Sequence, residues 1–174
     1  MNCLSARLIF SPTLLWTLLL GRWLKIRHWW DRIDETVILG ALPYASDVKR
    51  LAAEGVKGVV NTCEEYQGPL QEYARLGIEH FWIPTVDYTH PELDDICRAV
   101  DFIDRYAQAG ESVYLHCKAG RGRSATVAMC WLIKSQQIDS EQAQQILNRV
   151  RPFVNQKLKT RPVVREFEER FLKS

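Results

Sequence analysis

Apolar positions fall in short runs cut by glycine, proline and polar clusters, and the runs alternate between strand-like and helix-like spacing. Thr36 to Leu39 reads as a first strand, closed by the turn Gly40-Ala41-Leu42-Pro43. Ser46 is expected to cap a helix ending near Gly55, and Val56 to Val60 follows as a strand with Asn61-Thr62-Cys63 at its exit. Pro69 starts a short helix that stops before Gly77, and Ile78 to Ile83 alternates as a strand. Leu93, Ile96, Cys97, Val100, Ile103 and Ala107 keep helical spacing on one face, with Asp94, Asp95, Asp101 and Asp104 on the solvated side. Val113 to Leu115 is a buried strand. Ala125 to Ile133 is apolar almost all round, which predicts a central buried helix. Asp139 or Ser140 caps a helix to about Val150, and from Pro162 a last amphipathic helix turns Val163, Val164, Phe167 and Phe171 inward. Strands alternating with helices, then a helical tail, predict an α/β fold: a central, mostly parallel sheet flanked by helices.

Residues 1–30 break this pattern. They hold no acidic residue, four of the six tryptophans (Trp16, Trp23, Trp29, Trp30) and the cations Arg7, Arg22, Lys25 and Arg27. The apolar run from Leu8 to Leu20 is 13 residues long and includes Pro12. A bilayer core takes about 20 apolar residues, so the run is short for a spanning helix. It fits a signal-peptide core, although no small-x-small cleavage pattern follows. It also fits an N-terminal helix packed on the domain. The reading preferred is a membrane-associating or targeting segment, with tryptophans at the headgroup level and cations toward anionic lipid. Residues 31–174 then form the globular domain. The hydrophobic content of 47% and charged content of 25% are those of a globular protein, and a net charge of +2 gives no ground for nucleic-acid binding. Cys3, Cys63, Cys97, Cys117 and Cys130 are odd in number, scattered and without a CxxC, which argues against a disulfide framework or zinc site and for a reducing compartment.

The chemistry centres on Ser112-Val113-Tyr114-Leu115-His116-Cys117-Lys118-Ala119-Gly120-Arg121-Gly122-Arg123-Ser124. An apolar strand stops at a cysteine, the chain turns through a loop with two glycines, and a helix begins at about Arg123. Glycines let backbone N–H groups turn inward and approach a ligand. The helix N-terminus and the guanidinium fork of Arg123 face the same spot and suit a tetrahedral oxyanion. A thiol with a pKa of about 8.5 is only roughly 3% ionised at pH 7, but cations and a helix N-terminus lower that pKa. The loop 118–122 is therefore a phosphate cradle with a nucleophile at its floor. No metal or cofactor is called for, because the cradle supplies the positive field.

The order His-Cys-x5-Arg-Ser resembles the cysteine-dependent protein tyrosine phosphatases, in their small dual-specificity branch. The resemblance implies that Cys117 is the nucleophile, that Arg123 binds the transferring phosphoryl group, that Ser124 helps the sulfur leave, and that His116 helps hold the thiolate. Lys118, Ala119, Gly120, Arg121 and Gly122 complete the phosphate-binding loop. A phosphocysteine forms only if the leaving oxygen is protonated as it departs. The resemblance places that acid at Asp87, in Pro84-Thr85-Val86-Asp87-Tyr88-Thr89-His90-Pro91; the plain alternatives are a turn or cap aspartate, with His90 as local rival.

Three further stretches narrow the likeness. Trp29 to Pro43, Asn61-Thr62-Cys63-Glu64-Glu65-Tyr66 and Phe10-Ser11-Pro12-Thr13-Leu14-Leu15 resemble the mitochondrial PTP-like phosphatases that dephosphorylate phosphatidylglycerophosphate. Lys118 and Arg121 add charge at the loop mouth, which suits a substrate with more than one negative group; the plain reading of Arg121 is a solvent-facing cation. The implied substrate is an anionic phospholipid, met at a membrane surface through residues 1–30, with no obligate protein partner. The implied place is the mitochondrial inner membrane in a eukaryote or the cytoplasmic face of the plasma membrane in a bacterium. A protein phosphatase acting on phosphotyrosine or phosphoserine/phosphothreonine is the enzymatic alternative. A phosphate-binding pseudophosphatase and a rhodanese-like sulfur transferase are weaker, since Cys117, Arg123, Ser124 and Asp87 together exceed what either needs. The role of Glu64 and Glu65 stays open between positioning Arg123, positioning a water, and ending a strand.

Overall fold

The computed structural model describes residue 15 and residues 28–172. The membrane-associating segment read from residues 1–30 therefore lies almost wholly outside the described residues. Five strands form one sheet: β1 (Trp30–Arg32), β2 (Val37–Gly40), β3 (Val56–Cys63), β4 (Glu79–Thr85) and β5 (Ser112–His116). Their order is β1-β2-β5-β3-β4. β1 is antiparallel to β2, and the other pairings are parallel, with Gly40 opposite His116 and Asn61 opposite His116 on either side of the central strand.

Alternation along the strands sorts two cores. Val37, Leu39, Val113 and Leu115 face one side, while Ile38 and Tyr114 face the other. The first side is covered by α3 (Leu93–Gln108), α4 (Arg123–Gln136), α5 (Ser140–Val150) and α6 (Pro162–Leu172). The second is covered by α1 (Ala45–Ala53) through Val48 and Leu51, and by α2 (Leu70–Arg75) through Tyr73. Residues 123–133 of α4 are buried without a break, so the helix lies at the centre as its all-round apolar pattern predicts.

Two expectations change. The boundary drawn after residue 30 cuts through β1. Trp29 donates from Nε1 to the Leu42 carbonyl at 3.1 Å, and Trp30 packs edge-on against the ring of Tyr114. Both tryptophans pack on the domain. Ser46 is not a cap: Tyr44 occupies that place, because the Asp47 carboxylate accepts the Tyr44 amide at 2.9 Å and closes the first turn from inside.

Because β2, β5, β3 and β4 run parallel, their carboxyl ends share one edge of the sheet. That edge brings together Ala41-Leu42, Cys63 to Glu65, Thr85 to Asp87, and Cys117. Ligands of open parallel sheets bind at that edge.

Candidate active site

Cys117 follows the last residue of the central strand, and Gly122 is the N-cap of α4. Each carbonyl between them is held from outside the loop. The Lys118 carbonyl accepts from the Leu42 amide at 3.3 Å, and that of Arg121 from the Asn155 amide at 2.8 Å. Arg151 donates from Nη2 to the Ala119 carbonyl at 3.1 Å and from Nε to the Gly120 carbonyl at 3.0 Å. The Gly122 carbonyl takes the Thr126 amide at 3.0 Å and the Thr126 hydroxyl at 2.8 Å. A peptide unit is planar, with N–H and C=O opposed. Carbonyls tied outward leave the amides to face the hollow. Gly120 sits at φ +64°, and a Cβ there would stand 2.5 Å from the Gly40 carbonyl oxygen, so the turn closes only with glycine.

The charged groups converge on the same place. Arg123 is 2% exposed, and its Nη1 donates to Glu65 Oε2 and to the Thr85 carbonyl, both at 2.8 Å. Asp87 reaches from the loop after β4, with Oδ1 3.1 Å from Arg123 Nη2 and Oδ2 on Lys118 Nζ. Glu65 is presented by a fixed turn: Asn61 Nδ2 donates to the Tyr66 carbonyl at 2.6 Å, and the Tyr66 hydroxyl to the Pro43 carbonyl at 2.5 Å. Cys117, Lys118, Ala119, Arg121, Gly122, Arg123 and Asp87 line one cleft of about 560 Å³, with Tyr88, Asn155, Gln156 and Arg161 among the others.

Burial alone would push the Cys117 thiol up. The Arg123 charge, the Ser124 hydroxyl and the amides of Ser124 and Ala119 outweigh it and bring the pKa down to about 7. The Ser124 hydroxyl is buried and makes no geometrically complete hydrogen bond, yet it is near enough to the sulfur to favour the thiolate. His116 is fully buried, and desolvation pushes its pKa down to about 3. Its imidazole is therefore neutral, and any help it gives the thiolate is not that of a cation. Neighbouring Cys63 is pushed up by burial and stays a thiol.

Seven of the predicted residues thus line the cleft, while His116, Ser124 and Gly120 lie behind it. Lys118 is buried against Asp87 rather than loose at the mouth. Arg121 is exposed and donates from Nε to the Phe153 carbonyl at 2.6 Å. Arg151 and Arg161 are not among the expected site residues: Arg151, just past a helix, reads in sequence as an ordinary C-terminal cation, and nothing in the sequence around Arg161 marks it out. Among the described residues, no group of three or more His, Cys, Asp or Glu side chains is placed to hold a metal ion.

The thiolate lies under inward amides and a buried guanidinium, with a carboxylate beside it, and the sequence of residues 37–170 matches the family model of the dual specificity phosphatase catalytic domain. The chain belongs to the dual-specificity phosphatase family. Among relatives of this phosphatase, "Phosphatidylglycerophosphate phosphatase PTPMT2" of Arabidopsis thaliana is 42% identical over 166 residues, covering 94% of this chain and 73% of the relative. "Phosphatidylglycerophosphatase and protein-tyrosine phosphatase 1" of Homo sapiens is 39% identical over 173 residues, covering 94% and 86%. The crystal structure of PTPMT1 in complex with PI(5)P superposes with a TM-score of 0.77 at 34% identity, covering 84% of this chain and 98% of that one. The α/β fold expected from the alternation of strands and helices, and the phosphatase form of it implied by the resemblance, are the observed ones.

Proposed function

We propose that this phosphatase removes the terminal phosphate of phosphatidylglycerophosphate through a phosphocysteine. The observation that carries the mechanism is the convergence of Cys117, Arg123 and Asp87 in one cleft floored by inward amides. The substrate is supported by the relatives named above and by a cleft lined by several cations. The Cys117 thiolate attacks phosphorus, Arg123 and the loop amides hold the phosphoryl oxygens, and the phosphorus–oxygen bond to glycerol breaks as Asp87 protonates the departing oxygen. Asp87 then takes a proton from water, which attacks the phosphocysteine. Inorganic phosphate leaves as the sulfur, aided by Ser124, returns to the thiolate. The lipid product is phosphatidylglycerol, the precursor of cardiolipin.

In mixed micelles, phosphatidylglycerophosphate is expected to turn over faster than a phosphotyrosine peptide, and Cys117→Ser to abolish the reaction. Equal or better turnover of the peptide would make this a protein phosphatase instead. Among the described residues no helix is long and apolar enough to cross a membrane. Access to the lipid is assigned to the basic, tryptophan-bearing segment before residue 28, acting at the surface of the mitochondrial inner membrane or of a bacterial plasma membrane. Replacing Arg7, Arg22, Lys25 and Arg27 together by glutamine is expected to release the full chain from anionic vesicles; unchanged co-sedimentation would sink the assignment.

A further inference from the structure

Arg161 lines the same cleft as Cys117 but has no part in the chemistry above. Its backbone is fixed where the 3-10 turn Leu158–Thr160 meets α6. The amide donates to the Leu158 carbonyl at 3.0 Å, and the carbonyl accepts from the amides of Val164 at 3.1 Å and Arg165 at 3.2 Å. Its Nη1 donates to Thr126 Oγ1 at 2.5 Å and, at 3.4 Å, to the Gly122 carbonyl. Nη2 lies 3.7 Å from where a Cβ on Gly122 would stand, alongside the phosphate loop. The guanidinium is thus held in place before any ligand arrives.

Its electrostatic setting is odd for a structural arginine. Lys118 and Arg123 each have a carboxylate partner, whereas no carboxylate lies within ion-pair distance of Arg161 among the described residues. The side chain is half-buried, and desolvation lowers its pKa. It also sits against the first turn of α4, whose positive end disfavours a cation and favours an anion. A partly dried guanidinium beside a helix N-terminus, with no carboxylate partner and only the Cys117 thiolate as an anionic neighbour, gains most when an anion shared by both arrives. A guanidinium fork matches phosphate oxygens better than an ammonium does.

We infer that Arg161 is a specificity-determining residue that binds a second, non-reacting phosphate of the substrate while the first sits over Cys117. This rests on the phosphatidylglycerophosphate reading, because that lipid carries a reacting phosphomonoester and, across one three-carbon glycerol, a phosphodiester. Arg161 would take the diester, which glycerol 3-phosphate and aryl phosphates lack.

The test uses soluble headgroups, so that membrane binding plays no part. Glycerophosphoglycerophosphate, the deacylated lipid, is compared with glycerol 3-phosphate by kcat/KM in the full chain. The wild-type protein is expected to prefer the two-phosphate compound. Arg161→Met is expected to cut that preference about tenfold to a hundredfold, as loss of a charge-assisted contact does, chiefly through KM. Arg161→Lys, which keeps the charge without the fork and perturbs folding least, is expected to cut it by a smaller factor. If both variants lose activity on the two compounds equally, so that the ratio is kept, Arg161 only braces α4 and the inference is overturned. If the wild type turns over the intact lipid but shows no preference between the headgroups, the inference falls and the proposed function stands. If it does not turn over the lipid, both fall.

Discussion

Arg151 holds Gly120 by a 3.0 Å hydrogen bond from Nε to the carbonyl oxygen, and the same guanidinium reaches Ala119 and, at 2.5 Å, Asp31 of β1. The phosphate loop is therefore shaped from behind, by an arginine past α5 that is itself oriented by the first strand. Arg151→Leu removes the brace and leaves Asp31 without its partner. Breaking such a buried pair costs about 3–5 kcal/mol. We expect a fall of that order in urea unfolding and a loss of at least ~100-fold in kcat/KM on a chromogenic phosphate ester. Arg151→Lys should restore little, because one ammonium cannot serve two carbonyls and a carboxylate in the plane of the fork.

Glu65 is assigned as a positioning residue for Arg123. Its Oε2 takes Nη1 at 2.8 Å, while Oε1 is buried without a hydrogen bond. Glu65→Ala frees one side of the guanidinium. We expect kcat/KM to fall about 100-fold, as when one oxyanion donor is misplaced. The pH midpoint of Cys117 alkylation should shift little, because Arg123 keeps its charge nearby. A midpoint that rises strongly would show that Glu65 acts on the thiolate rather than on phosphate binding. Glu65→Gln is expected to lie between the two proteins in turnover.

The thiolate has a measurable signature. A Cys117 pKa near 7 means that alkylation by iodoacetamide slows as pH falls through 7, where the sulfur takes up its proton. Turnover should fall on the same acid limb. Arg123→Met removes the largest influence opposing burial, so the midpoint should move above 8.5, the ordinary value of a thiol. Inorganic phosphate should protect the wild-type protein. A wild-type midpoint at or above 8.5 would contradict the electrostatics of the loop.

What was legible in the sequence was what is local. Strand, cysteine, glycines and helix lie within thirteen consecutive residues, so periodicity and turn chemistry suffice to place Cys117 and Arg123 together. Asp87 is legible only through the need for an acid and through resemblance, since nothing in its own neighbourhood marks it out. The Glu65–Arg123 contact, across 58 residues, is legible only as one of several open readings, and those of Arg151 and Arg161 are not legible at all, because they join positions 31 or 32, and 35 residues apart. Only the parallel sheet edge and the return of the chain after α5 bring those pairs together. β1 is hidden in the sequence for another reason. It is three residues long and starts inside a tryptophan cluster that composition assigned to a membrane, while its partners on β2 decide its pairing.

Gly120 joins backbone strain to catalysis. With φ at +64° and the Gly40 carbonyl 2.5 Å from a hypothetical Cβ, alanine meets both an unfavourable backbone region and a clash with main chain that cannot swing away. Strain of this kind costs about 1–3 kcal/mol before the clash is counted. Gly120→Ala should lower the urea midpoint and displace the loop amides, so that inorganic phosphate no longer protects Cys117 from alkylation. Retained protection would mean that β2 yields instead of the loop.

Asp87 has two possible jobs, and the leaving group separates them. It pairs with Arg123 and Lys118 in the resting site, so its removal perturbs charge as well as proton supply. A nitrophenolate departs as a stable anion and needs little help, whereas a glycerol alkoxide must be protonated as it leaves. If Asp87 is the acid, Asp87→Asn should reduce kcat on the lipid by about 10²–10⁴-fold and on nitrophenyl phosphate by a much smaller factor. The acid's contribution is then the ratio of the two losses, which no change in cleft electrostatics common to both substrates reproduces. Equal losses would mean that Asp87 serves by holding the cations in place, and the proton donor would have to be sought elsewhere on the same loop, with His90 first in line.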